Sequence, residues 1–300
     1  MSIPGGDPPW FGLSEETLRA LEVHQARAVA IPGRSWRDYG DAAMLFSAGE
    51  REPFFNRLVG VRWPEAPRAF DARLAQAVEL FTALDRKPYI WAIPGLSRPA
   101  DLVARLAANG FVDQGGGLDM ILTGDLQPGA EAAPPRGAVL ERWNCPSPAE
   151  RPGVAEALTS VIMDAFHIPG SRRSNLVAEI SLTLETSRFH ACLIRVDGEP
   201  VATGERYSFD DASYLSSIGT RPEWRGRGLG TLVTQVLVRD SLAAGYDLIY
   251  LGVYAENTSA ISVYSRLGFR VLGSRSADML AERPRPGTPP RRSAARRLFG

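Results

Sequence analysis

From residue 138 onward the apolar positions fall into two rhythms. Over 152–166, Val154, Leu158, Val161, Ile162 and Phe166 recur at three- and four-residue steps, the signature of one helix face. Residues 174–186 repeat the pattern, with Ser174 placed as a cap. Three strands are then expected, over 189–196, 200–209 and 212–220, joined by turns at Asp197-Gly198 and Asp210-Asp211. Helical spacing returns over 231–243 and 258–267, on either side of a strand at 247–254. Residues 269–280 read as a last extended segment, and 138–143 as a first strand. An antiparallel meander that gives way to βαβ order predicts an α+β fold.

The run QPGAEAAPPRG at 127–137 has no apolar period and reads as a linker between a domain at 1–126 and one at 138–282. Residues 283–300 combine prolines with six arginines and are expected to form a disordered, solvated basic tail. Sliding the chain against itself by 158 residues sets Pro64-Glu65 on Pro222-Glu223, Leu74 on Leu232, Val78 on Val236 and Gly110-Phe111 on Gly268-Phe269. The register continues without a gap to Leu122 on Leu280, which predicts a duplication. The copies differ at the run Arg225-Gly-Arg-Gly-Leu-Gly230, which meets Pro67-Arg-Ala-Phe-Asp-Ala72. Likewise Tyr264 meets Leu106, and Asn257 meets Pro99.

Composition narrows the class. With 300 residues, 44% hydrophobic content and zero formal net charge, the chain has no global attraction to nucleic acid or an anionic membrane. Lys87 is the only lysine, an arginine preference that reads as a GC-rich, actinobacterial-like coding bias. Cys145 and Cys192 have neither metal-ligand spacing nor the number for a disulfide framework. No signal-peptide pattern opens the chain and no apolar run has membrane-spanning length, so a cytoplasmic protein is expected.

Chemistry concentrates in two places. In Arg225-Gly-Arg-Gly-Leu-Gly230, glycines uncover successive amides ahead of a helix, a site suited to phosphate or pyrophosphate. The G-x-G-x-G spacing and the meander before it argue against a dinucleotide fold, and no Gly-Lys-Ser/Thr ending makes a P-loop. Downstream, Asn257, Ala260, Ile261, Tyr264 and Leu267 share one helix face. Tyr264 there either offers a proton to a basic leaving group or packs with its hydroxyl bonded.

Together the stretch Leu215-Ser-Ser-Ile218-Gly-Thr220-Arg-Pro222-Glu-Trp-Arg225-Gly-Arg-Gly228-Leu-Gly230 and the pattern Asn257-x-x-Ala260-x-x-x-Tyr264-x-x-x-Gly268-Phe269 resemble the two CoA-side motifs of the GCN5-related N-acetyltransferase (GNAT) superfamily. The whole resembles a tandem GNAT protein with a degenerate N-terminal copy, an arrangement also found in mycothiol synthase-like enzymes. The resemblance implies two GNAT domains, each a mixed, mostly antiparallel sheet flanked by helices. It implies acetyl-CoA as cosubstrate, no metal, and a small-molecule or peptide amine as acceptor. Backbone groups of Ile218, Gly219 and Thr220 would pair with pantetheine. Amides across Arg225, Gly226, Arg227, Gly228, Leu229, Gly230 and Thr231 would hold the pyrophosphate. Asn257 would lie along the CoA arm, and Tyr264 would protonate the departing thiolate.

Some members carry a strand-four glutamate at the position of Tyr214, which this chain lacks. If Asp210-Asp211 form a two-residue turn, Glu205 lies opposite Ser216 on the face of Tyr214 and is the candidate base through water. The alternatives are an exposed strand carboxylate and an empty base role. His167, Arg172 and Arg173 fall in the loop expected over the acceptor, and Tyr254 and Glu256 at the exit of a strand beside the acyl group. His24 and His190 show no partner in sequence. Without the glycines in the first copy, one acetyl-CoA per chain is expected. The competing reading is an acyl-CoA-binding sensor or scaffold without turnover.

Overall fold

The computed structural model describes residues 10–31, 33–126 and 135–282. The expected tail at 283–300 and most of the expected linker lie outside the described residues. In chain order the elements begin α1 (Glu15–Ala28), β1 (Arg34–Asp38), β2 (Ala43–Ser47), β3 (Arg57–Val59), α2 (Pro67–Ala83), β4 (Tyr89–Ala92), α3 (Leu102–Ala108) and β5 (Phe111–Asp113). They continue as β6 (Gly117–Leu122), β7 (Ala138–Trp143), α4 (Arg151–Phe166), α5 (Arg173–Thr183), β8 (Phe189–Val196), β9 (Glu199–Phe209) and β10 (Ala212–Thr220). The last elements are α6 (Leu229–Ala243), β11 (Leu248–Tyr254), α7 (Thr258–Arg266), β12 (Phe269–Leu272) and β13 (Ala277–Ala281).

Two compact units result, Met1–Leu118 with Leu272–Gly300, and Asp119–Val271. In the first, the strand order is β1-β2-β3-β4-β13-β5. Its helix α1 opens at Ser14, whose hydroxyl accepts from the Thr17 amide at 3.0 Å, and Glu15 and Glu16 meet the positive helix end. The apolar face of α2, Phe70, Leu74, Ala77 and Phe81, packs into a core with Leu58, Ile90, Phe111 and Met279. In the second unit the order is β12-β6-β11-β10-β9-β8-β7, antiparallel from β7 to β10 and parallel between β10 and β11.

These units differ from the contiguous domains read at 1–126 and 138–282. The single segment expected at 269–280 breaks at Gly273, in the left-handed region at φ 66°, into β12 and β13. Strand β13 then lies between β4 and β5 in the first sheet, while β6 lies between β11 and β12 in the second. The two strands are counterparts in the 158-residue repeat, so their patterns cannot tell which sheet each will join. Where the chain enters them, a Cβ on Gly116 would lie 2.0 Å from the Ser276 carbonyl oxygen, so only glycine fits.

The repeat also reaches further upstream than the sequence suggests. The same step carries α1 onto α5 and β1 onto β8. Two boundaries move. Ser174 lies inside α5, because a 3₁₀ turn at Gly170–Arg172 runs straight into the helix and leaves Arg172 at the cap. Helix α6 starts at Leu229, two residues before the expected Thr231, because Gly228 takes the capping position at φ 77°.

Candidate active site

The site is built where β10 leaves β11. The two strands pair from Ala212 with Leu248 to Leu215 with Leu251, and no further. On its other edge β10 pairs Ser216 with Glu205 and then Gly219 with Thr203, so two residues oppose one in a bulge. Ser217, in the bulge, has φ 50°. Beyond it, a Cβ on Gly219 would lie 2.8 Å from Ala165 Cβ and 3.1 Å from Phe166 Cε2, so α4 presses directly on the strand backbone there. The edge of Ile218, Gly219 and Thr220 that faces away from β9 is thus left without a strand ladder.

After Thr220 the chain is pinned by Arg221, whose guanidinium donates to Glu199 at 2.7 Å and to Ser160 at 3.2 Å, and lies 3.3 Å from Asp164. A 3₁₀ turn at Pro222–Trp224 follows, and Gly226 and Gly228 take φ 76° and 77°. The Arg225 amide donates to the Pro222 carbonyl at 3.2 Å, so it stands outside the set of amides expected to hold an anion. Its side chain donates to the carbonyls of Ala165 at 2.9 Å and Thr220 at 3.3 Å, and shapes the loop. Arg227 stacks over Trp224 at 4.4 Å.

Behind the loop, α6 begins without a side-chain cap, so its first amides have no intrahelical or capping acceptor. Gly230 is informative here. It has ordinary φ, and a Cβ would meet only Thr220 Oγ1, at 3.9 Å. Neither conformation nor protein packing asks for glycine at that position.

A row of ionisable groups lies on one side of the same strands. Glu205 is 5% exposed, and burial raises its carboxyl above the usual range, opposed by hydrogen bonds from Ser217 and Ser216. The Ser216 hydroxyl donates to Glu205 Oε2 at 3.3 Å. The expected register of Glu205 opposite Ser216 is observed, and the exposed-carboxylate alternative is not. Tyr214 stacks on Tyr250 at 5.1 Å between ring centres. Tyr264, on α7, is 7% exposed; burial first, then Tyr214, pushes its phenol up to about 12. Asn257 caps α7, its Oδ1 accepting from the Ala260 amide at 3.2 Å.

Other sequence candidates fall away from this row or take structural roles. Arg173 pairs with Glu156. His167 ends α4 in the left-handed region at φ 54°. Tyr254 is 71% exposed at the end of β11, with Glu256 exposed just beyond. His24 is buried in α1. His190 is pushed down to about 4, first by burial and then by Arg206. Ser216, expected opposite Glu205, and Ser217, which nothing in the sequence marked because nothing marked the bulge, both hydrogen-bond the Glu205 carboxyl. Among the described residues no group of three or more His, Cys, Asp or Glu could hold a metal, and no helix is long and apolar enough to cross a membrane.

Residues 155–269 match the acetyltransferase (GNAT) family. A mycothiol acetyltransferase from Nocardiopsis dassonvillei is 34% identical over 93 residues, 31% of this chain and 24% of that protein. The chain thus spans about a quarter of the length of that relative. Among solved structures, a GCN5-related N-acetyltransferase from Kribbella flavida superposes with TM-score 0.65 at 22% identity, over 90% of this chain and 96% of the other. A tandem GNAT protein from the clavulanic acid biosynthesis pathway superposes with TM-score 0.61 at 18% identity, over 84% and 83%. These likenesses give the fold: α+β, with two GNAT-like units.

Proposed function

We propose, for a chain whose residues 155–269 belong to the acetyltransferase (GNAT) family and which is built as a tandem protein with a degenerate first copy, that it moves an acetyl group from acetyl-CoA to an amine by direct attack. The observation that carries this reading is the uncapped start of α6 behind two left-handed glycines, with Gly230 glycine for no internal reason. Amides of Gly226 to Thr231 hold the pyrophosphate, and the free edge of Ile218, Gly219 and Thr220 pairs with pantetheine.

The amine nitrogen attacks the acetyl carbonyl carbon. The carbonyl oxygen takes up negative charge, met by an amide of the splayed β10 edge. The C–S bond then breaks, and the sulfur leaves as a thiolate beside Tyr264. A phenol near 12 holds its proton more tightly than a thiol of ordinary pKa about 8.5. Tyr264 therefore works as a hydrogen-bond donor to the charge growing on sulfur and keeps its own proton, and the released thiolate is protonated from solvent. Glu205, its carboxyl raised by burial, takes the amine proton through water. The acceptor is a small-molecule or peptide amine.

Release of free CoA thiol, followed with acetyl-CoA and a broad panel of amines, tests the reading. Amine-dependent release, with the acetylated amine found by mass, supports it. Binding of acetyl-CoA with no thiol released for any acceptor makes the chain a binding module instead.

A further inference from the structure

The first unit has no glycine cradle, yet it holds a cavity of about 600 Å³, within the size range of small-molecule sites. The walls are apolar: Leu74 and Val78 from α2, Phe111 from β5, and Leu280 and Ala281 from β13. Charge is confined to Arg51, Asp85, Arg86, Lys87 and Glu282. The cavity lies toward the end of α2, whereas residues 67–72, which align with the cradle of the second copy, lie at its start. It is therefore not a remnant of the acetyl-CoA site.

The charges do not cancel. Arg51 Nη2 donates to Asp85 Oδ2 at 2.6 Å, which satisfies that pair. Arg86 donates to the carbonyls of Ser47 at 2.8 Å and Ala48 at 2.9 Å and to Asn56 Oδ1 at 3.2 Å, all neutral acceptors, so its charge stays uncompensated. Lys87 is exposed and makes no ion pair among the described residues. Two cations thus face a single remaining carboxylate, Glu282. In the second copy the 158-residue step sets Ala243-Ala244-Gly245 on Asp85-Arg86-Lys87, so the charged rim belongs to the first copy alone.

We infer that this cavity binds a small amphipathic monocarboxylate, its apolar tail between α2 and β13 and its carboxylate at Lys87. An alkyl or aryl tail is matched by the apolar walls, and a single negative charge by the excess positive one. The site stands independently of acetyl transfer in the second unit.

Decanoate, titrated into the full chain below its micelle concentration, is the probe. Binding is read by calorimetry and by the 13C signal of reductively methylated Lys87, the one lysine of the chain. The expected result is saturable one-to-one binding that shifts this signal. Lys87→Met weakens binding about three- to tenfold, and decanol binds more weakly than decanoate by a similar factor. Val78→Trp, which fills the cavity, removes binding; should it fail to fold, Lys87→Met changes only an exposed side chain and keeps the test intact. Absence of saturable binding, equal affinity in Lys87→Met, or decanol binding as tightly as decanoate overturns the assignment.

Discussion

Glu205 and Tyr264 are both buried ionisable groups whose surroundings favour the neutral form, and their behaviour with pH follows from that. Replacing Tyr264 with phenylalanine removes the donor proposed for the leaving sulfur while keeping the ring that packs on Phe269. Turnover is expected to fall about 10²-fold with acetyl-CoA affinity retained, as steady-state kinetics and calorimetry would read together. An unchanged rate would take the role from Tyr264. For Glu205, the rate should rise with pH through a group above the ordinary carboxylate range, and that limb should vanish in Glu205→Gln. Stability carries the opposite sign. A carboxyl with a raised folded pKa binds protons more tightly in the folded state, so its contribution is full below the unfolded value and is lost as pH rises through the folded one. Thermal melts should therefore show Glu205→Gln gaining on wild type as pH rises. The pairing of Glu205 with Ser216 was legible from the Asp210-Asp211 turn, because strand register follows from turn length. Its burial was not, because alternation names a face and not what covers it.

Among the elements, β10, α4 and α6 set the geometry. Gly219 lets α4 press on the splayed strand, so Gly219→Ala forces Ala165 and Phe166 to shift. We expect a loss of about 1–3 kcal/mol, read by denaturant unfolding. The glycine turn ahead of α6 was legible because glycines that take left-handed φ next to a helix start stand out in local sequence. The start of α5 was not legible. A cap at Ser174 is a sound local reading, yet the 3₁₀ turn at Gly170–Arg172 delivers the chain already helical, and Arg173 is tied to Glu156.

At the scale of the whole molecule, β13, the last strand among the described residues, belongs to the sheet of the first unit. Met279 is 1% exposed in that core, although it stands close to the C-terminal end of the described residues. Met279→Ala should cost about 2–5 kcal/mol and speed hydrogen exchange in β4 and β5. A fragment cut at the boundaries read from sequence, 138–282, leaves β6 out and opens an unpaired gap between β11 and β12. It should aggregate where the full chain does not. Duplication was legible from the 158-residue register, but the destinations of β6 and β13 were not, since equivalent strands carry equivalent patterns. The proposed function requires one acetyl-CoA cradle per chain, at the head of α6. Calorimetric titration of acetyl-CoA into wild type and Gly230→Val tests it most directly, because a Cβ at 230 meets no protein atom closer than 3.9 Å and the variant has room to fold. One site is expected in wild type, and binding weakened at least about tenfold in Gly230→Val. Two sites per chain, or an affinity untouched by the valine, would contradict it.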